Sequence, residues 1–235
     1  MDPVQIAELL QPFLGTRTTD DGRPAIDDAL YQDISTYVDI LLRWTSRINL
    51  TAIRKPEEIV TRHFGESLFA ARHLFPRDAA TSSVSTVSAV KGFDPPDTQI
   101  RVADVGSGAG FPGIPIKLWA PDISLTLIES NYKKVVFLRE VVRTLTLTNV
   151  EIQNVRAENI PPDTYDVVTL RAVERFREAL PVAGKLMNSS GRIALLITAS
   201  QRDVAESALQ DFSWDSPLPI PGSQSRLLLV GRRRA

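Results

Sequence analysis

Hydrophobic and polar positions alternate along this chain with two different rhythms. Up to about residue 75 the rhythm is helical. In "IDDALYQDISTYVDILLRWTSRINL", Leu30, Ile34, Tyr37, Val38, Leu41 and Leu42 recur at the spacing of one helix face. "KPEEIVTRHFGESLFAARHLF" follows, with Pro56 early and acids in the first turn, both helix-start signals. Its apolar stripe runs through Ile59, Val60, Phe64, Leu68 and Ala71, and two polar residues, His63 and Ser67, fall inside it. Residues 77–99 are rich in Ser, Thr, Asp and Pro and carry no periodic pattern, as a linker or loop would. The expected organisation is a helical part over 1–76, the linker, and an α/β domain over 100–235.

From Ile100 short β-rich runs alternate with helical ones. "IRVADV", "SLTLIE", "VEIQNV", "YDVVTL", "GRIALLIT" and "SRLLLVG" read as strands. "PGIPIKLWA", 131–147, 174–188 and 201–212 read as helices, and 131–147 sets Val135, Leu138, Val142 and Leu145 on one stripe. The alternation predicts an open, mainly parallel Rossmann-like sheet with helices on both faces. Ligands of such sheets bind beyond the carboxyl ends of the strands.

Composition narrows the partners. The 235 residues are 43% hydrophobic and 23% charged, with a formal net charge of -1, so any polyanion site is a local patch. There are no cysteines, which excludes disulfides, thiolate metal sites and a cysteine nucleophile. The start "MDPVQIAELLQPFLG" lacks the basic opening of a signal peptide, and no apolar run is long enough to span a membrane. A cytoplasmic, monomeric protein is the expectation.

The chemistry concentrates after the first strand, in "RVADVGSGAGFPGIP". Gly106, Ser107 and Gly108 begin a turn in which glycine permits unusual backbone shapes and close approach to a ligand. About twenty residues on, Glu129 ends the second strand, where an acid accepts hydrogen bonds from ribose hydroxyls; alternatively it serves as a charge at the next helix's N-terminus. The spacing G-x-G-x-G differs from the G-x-G-x-x-G of dinucleotide sites, which favours S-adenosylmethionine over a pyrophosphate cofactor. After the third strand, Ala157 leaves room for a flat base and Glu158 could bond its amino group, or be a solvated loop acid. Arg171, ending the fourth strand, could hold a carboxylate, a phosphate or a base edge, or pair with Glu174 or Asp166. His63 and Ser67 are either an internal hydrogen-bonded pair or a lid on the cleft. Arg54, His63, Lys133 and Arg175 are candidate RNA contacts; the alternative for Arg54, Lys133 and Arg175 is a solvated surface, as it is for the basic tail Arg232, Arg233 and Arg234.

The stretches "NLTAIRKPEEIVTRHFGESL", "ADVGSGAGFPGIPIKL", "LIESNYKKVVFLREV", "VRAENI" and "YDVVTLRAVE" resemble, in order, the bacterial 16S ribosomal RNA guanine-N7 methyltransferases, the glucose-inhibited division protein B family. The resemblance covers roughly residues 30–197. It implies a class I methyltransferase sheet with a helical N-terminal extension and S-adenosylmethionine as donor. It also implies a guanine in the decoding-region loop of 16S ribosomal RNA, presented by the RNA or the 30S subunit, as acceptor. By position, the family's cofactor contacts fall on Gly106, Phe111, Ala157, Glu158 and Arg171. One departure stands out: Thr198-Ala199 closes the fifth strand where that family usually has Lys-Gly. A methyltransferase on another RNA or a small molecule, a nicotinamide oxidoreductase, and a non-catalytic RNA-binding protein are the rivals. Methylation at guanine N7 needs no general base, so no catalytic residue is assigned.

Overall fold

The computed structural model describes residues 1–15, 28–77 and 99–234. The predicted 77–99 linker lies almost wholly outside them. The helical part contains α1 (Pro3–Leu14), α2 (Asp28–Thr45), α3 (Pro56–Ile59) and α4 (Glu66–Leu74). Between α3 and α4 the helix continues through one wider π turn, Val60–Gly65. Such turns often mark functional positions, and this one carries Arg62 and His63. The predicted stripes are buried except for Leu42, which is half-buried: Leu30, Ile34, Tyr37, Val38 and Leu41 on α2, and Ile59, Val60, Phe64, Leu68 and Ala71 along 56–74.

The remainder is an α/β unit: β1 (Arg101–Val105), α5 (Gly113–Trp119), β2 (Ser124–Ile128), α6 (Tyr132–Thr144), β3 (Val150–Gln153), β4 (Tyr165–Arg171), α7 (Phe176–Leu186), β5 (Met187–Thr198), α8 (Arg202–Ala208), β6 (Phe212–Trp214), β7 (Leu218–Pro219) and β8 (Arg226–Arg233). All six predicted strands are present. The two short strands β6 and β7 were not predicted, because two or three residues show no alternation. The sheet order is β3-β2-β1-β4-β5-β8-β6, with β7 also on β8. The first five strands are parallel, and β8 runs antiparallel to β5.

Alternate residues of each strand feed two cores. Val102, Leu125, Leu127 and Val167 pack with α1, α2, α4, α5 and α6; Ala103, Val168, Leu170 and Leu195 pack with α7 and α8. The N-terminal helices therefore share one hydrophobic core with a face of the sheet, which holds the π turn against the strand ends. The last strand also resolves the basic tail. Arg232 donates to Asp215 at 2.9 Å and Arg233 to Asp163 at 3.1 Å, so these two belong to the folded sheet. Among the described residues no helix is long and apolar enough to cross a membrane.

Candidate functional site

The loop after β1 follows from its glycines. Gly106, Gly108 and Gly110 all have positive φ, +69°, +57° and +80°, which other residues adopt only at a cost. The three differ in what surrounds them. A side chain on Gly108 would meet only the Gly106 carbonyl, at 3.7 Å, so its outer face is open space. A side chain on Gly110 would run into the Tyr37 hydroxyl and lie 2.7 Å from Ile114 Cδ1. Tyr37 donates to the Ala109 carbonyl at 2.5 Å, tying α2 to the loop. The Tyr37 and His63 rings both stack on Phe111, at 5.4 and 4.8 Å, and Phe64 meets it edge-on at 5.1 Å. The Phe111 ring is consumed by this packing, so any ligand contact there falls to its backbone.

Glu129 follows β2 and is nearly buried. Gly108 N donates to its Oε2 at 2.9 Å and Asn131 N donates to its Oε1 at 2.7 Å. The acid thus orders the loop and the start of α6. Each oxygen keeps a second lone pair for a hydroxyl donor. Ala157 and Glu158 lie in a short 3-10 turn, Ala157–Asn159, after β3, with Glu158 exposed.

Asp104 lies at the carboxyl end of β1. It is fully enclosed, accepting from Thr169 Oγ1 at 2.9 Å and Gly113 N at 3.2 Å. Burial pushes its carboxyl up to about 6, against the pull of these hydrogen bonds and of Arg171.

Arg171 ends β4 and reaches the π turn. It donates to His63 Nδ1 at 3.1 Å, to the Arg62 carbonyl at 2.7 Å and to Glu66 Oε2 at 3.2 Å. Its ion-pair partner is therefore Glu66, not Glu174 or Asp166; Asp166 faces Arg101 at 3.7 Å. Because a guanidinium only donates, His63 Nδ1 accepts, and Nε2–H donates to Thr51 Oγ1 at 2.7 Å. The ring is held neutral: burial, then Arg171, Arg62 and Arg226, bring its pKa down to about 3. Ser67 donates to the His63 carbonyl at 2.6 Å, so the expected His63–Ser67 pair exists through backbone and not through the ring.

The other sequence candidates are spread out. Arg54 donates to the Thr45 carbonyl at 3.1 Å, closing the end of α2. Lys133 and Arg175 are exposed at the N-termini of α6 and α7, on the carboxyl edge of the sheet. Arg175 faces Glu178 at 3.6 Å. Glu66 and Arg226 are functional-looking residues that the sequence did not single out. Glu66 occupies the same helix stripe as His63 and Ser67, and that polar interruption was the available signal.

The two unusual titrations oppose each other. The unfolded His63 takes a proton below about 6.5 and the folded one only near 3, so its contribution is present above 6.5 and lost as pH falls. Folded Asp104 keeps its proton up to about 6 against 3.8 unfolded, so its contribution is present at low pH and lost as pH rises through 6. Between about pH 4 and 6 the slopes cancel. Asp104→Asn should expose the histidine: urea unfolding across this range should show stability falling by up to about 1.4 kcal/mol per pH unit on acidification, against a flatter wild type. Equal slopes in the two proteins would contradict these assignments.

Residues 30–216 match the family model of rRNA small subunit methyltransferase G. The ribosomal RNA small subunit methyltransferase G of Xylella fastidiosa (strain 9a5c) is 35% identical over 215 residues, covering 89% of this chain and 90% of the relative. That of Desulfitobacterium hafniense (strain Y51) is 34% identical, covering 84% and 75%. In structure, the chain resembles a ribosomal protein L11 methylase from Lactobacillus delbrueckii subsp. bulgaricus, with a TM-score of 0.56 and 14% identity over 74% of this chain and 79% of that one. This likeness speaks to the fold.

Proposed function

The chain belongs to the rRNA small subunit methyltransferase G family, and from that premise we propose that its glycine loop and the π turn above it methylate N7 of a guanine in 16S ribosomal RNA. The observation that carries this reading is the extent of the family match, which spans both the loop and the helical segment packed on it. A monomeric, cytoplasmic enzyme acting on the 30S particle or its RNA completes the reading.

The loop fits S-adenosylmethionine. Gly106, Ser107 and Gly108 present backbone with open space at Gly108, Glu129 retains acceptor capacity for ribose hydroxyls, and the Ala157–Glu158 turn after β3 would hold the base. Arg171 commits three of its five N–H groups to the protein and keeps two for a ligand carboxylate. When bound, the donor supplies an electrophilic methyl group on a sulfonium.

Guanine N7 has an in-plane lone pair and no proton, so no residue must act as a base. The side chains agree with that chemistry. Asp104 is spent on Thr169 and Gly113, both His63 ring nitrogens are engaged, and Glu66 answers arginines. The residues instead hold geometry, so that nucleophile, methyl carbon and leaving sulfur lie in line. Lys133 and Arg175 on the same edge provide charge for RNA phosphates.

The test is incubation with labelled S-adenosylmethionine and unmethylated 30S subunits or naked 16S RNA, followed by mapping. N7-methylguanine makes the strand cleavable after reduction, so one discrete cleavage position is expected. Label confined to protein, or none in RNA, overturns the reading.

A further inference from the structure

Two guanidinium groups pair with one buried carboxylate at the carboxyl edge of the sheet, and a third lies near one of them. Glu66, the first residue of α4, has a side chain only 2% exposed. Its Oε2 faces Arg171 at 3.2 Å and its Oε1 faces Arg226 Nε at 2.6 Å. Arg226 opens β8, where the register sets it opposite Thr198, the last residue of β5. It therefore stands on the same edge as Arg171. Arg62 lies four residues before Glu66 in the π turn. Its side chain is exposed and forms no ion pair among the described residues. Both Arg62 and Arg226 are near enough to perturb Arg171 and His63.

The charges do not balance. Two cations pair with one carboxylate and Arg62 adds a third positive charge near Arg171, so positive charge is in excess there. Glu66 Oε1 and Arg226 Nε form a close ion pair, but neither atom has a hydrogen-bond partner among the described residues. The Arg226 side chain is 26% exposed, and no hydrogen bond from its terminal nitrogens is found among the described residues. An arginine held by an ion pair at one side and partly exposed can offer its planar fork for bidentate contact with an oxyanion. Arg171 stands beside the glycine loop, close enough to act on Asp104. Arg226 is on the other oxygen of Glu66. One carboxylate thus pairs with both arginines, through different oxygens.

We propose that Arg226 and Arg62 form a phosphate-binding site for the RNA strand that carries the target base, with Glu66 as the positioning residue that aims the Arg226 fork outward. The site rests on the RNA reading above. It would take a backbone phosphodiester next to the base being methylated, and would hold that base over the loop.

The experiment compares wild type with Arg226→Gln, Arg226→Lys and Arg62→Gln. Methyl transfer to 30S subunits gives KM and its salt dependence. Filter binding gives the affinity for unmethylated 30S subunits without turnover, and calorimetry gives the affinity for S-adenosylmethionine. Arg226→Gln should raise KM and weaken 30S binding about tenfold or more, as expected for a lost charge-assisted bond. The slope of log affinity against log salt should fall by about 0.7 per lost phosphate contact. Donor affinity should change less than about twofold. Arg226→Lys should recover part of the loss. Arg62→Gln, on an exposed side chain, tests the same site where unfolding is not a concern, and thermal melts check all three. Unchanged 30S binding and salt slope in Arg226→Gln and Arg62→Gln overturn the proposal. So does an equal loss of donor affinity, which would assign the anion to the donor's carboxylate. Wild type that binds 30S subunits but transfers no methyl group to them refutes the methylation reading alone, and filter binding still decides the phosphate site.

Discussion

Gly110→Ala should unfold this protein far more readily than Gly108→Ala, although the two glycines are two residues apart and both have positive φ. A non-glycine residue in the left-handed region costs about 1–2 kcal/mol at either position. At Gly110 the added methyl also drives into the Tyr37 hydroxyl and to 2.7 Å from Ile114 Cδ1. Neither neighbour can give way freely, because Tyr37 is fully buried, bonded to Ala109 and stacked on Phe111. Overpacking of this kind adds about 1–3 kcal/mol, so the expected total is roughly 2–5 kcal/mol, or a fall in Tm of about 10 °C for a chain this long. At Gly108 the methyl enters open space and meets no side chain. Its folding cost stays near the backbone term, while the methyl occupies the face along which a ligand would lie. The expected signature is a nearly normal melt with affinity for S-adenosylmethionine reduced about tenfold or more. Thermal melts and calorimetric titration of the two variants check this. Equal destabilisation, or normal donor affinity in Gly108→Ala, would refute the division of labour.

That division shows what the sequence could and could not convey. The glycine spacing and Glu129 were legible because the elements that carry them are consecutive: strand, turn, helix, strand. Which glycine faces a ligand and which faces the core was not, because the answer depends on Tyr37, more than seventy residues earlier. The helical stripes were legible for the same reason as the strands, since burial follows a local period. His63 was flagged because it interrupts such a period. Its ring partners, Thr51 and Arg171, could not be named, since one lies in the preceding turn and the other 108 residues onward. Arg171 shows the limit most clearly. Local reasoning offered Glu174 and Asp166 as counter-ions, both a few residues away, whereas the fold supplies Glu66 from another element. Arg226 carried no signal because one arginine before a run of leucines is ordinary; its meaning comes from the strand register opposite Thr198.

Glu66→Gln should be among the most damaging single changes in the molecule, and a second substitution should undo part of the damage. The carboxylate sits 2% exposed between two guanidiniums, and only Arg226 reaches solvent appreciably, with Arg171 at 12%. Neutralising Glu66 leaves both cations facing each other without a counter-charge. Removing one partner of a buried pair costs about 3–5 kcal/mol, because the remaining charge is left unpaired in a poorly solvated place. The net worth of the pair is smaller, since desolvation of the ions offsets most of their attraction. The two quantities separate in a double-mutant cycle. Glu66→Gln alone should lower Tm by about 10 °C. Arg171→Met alone should cost less, because Glu66 keeps Arg226 at 2.6 Å. The double variant should be more stable than Glu66→Gln, with a coupling of about 1–3 kcal/mol, because the methionine removes the stranded cation. Methyl transfer should not return with the stability, since the proposed donor site also uses Arg171. Urea unfolding of the four proteins measures the coupling, and labelled methyl transfer measures the activity. Additive losses would show that Glu66 is a packing residue. Recovery of activity with stability would take Arg171 out of the donor site.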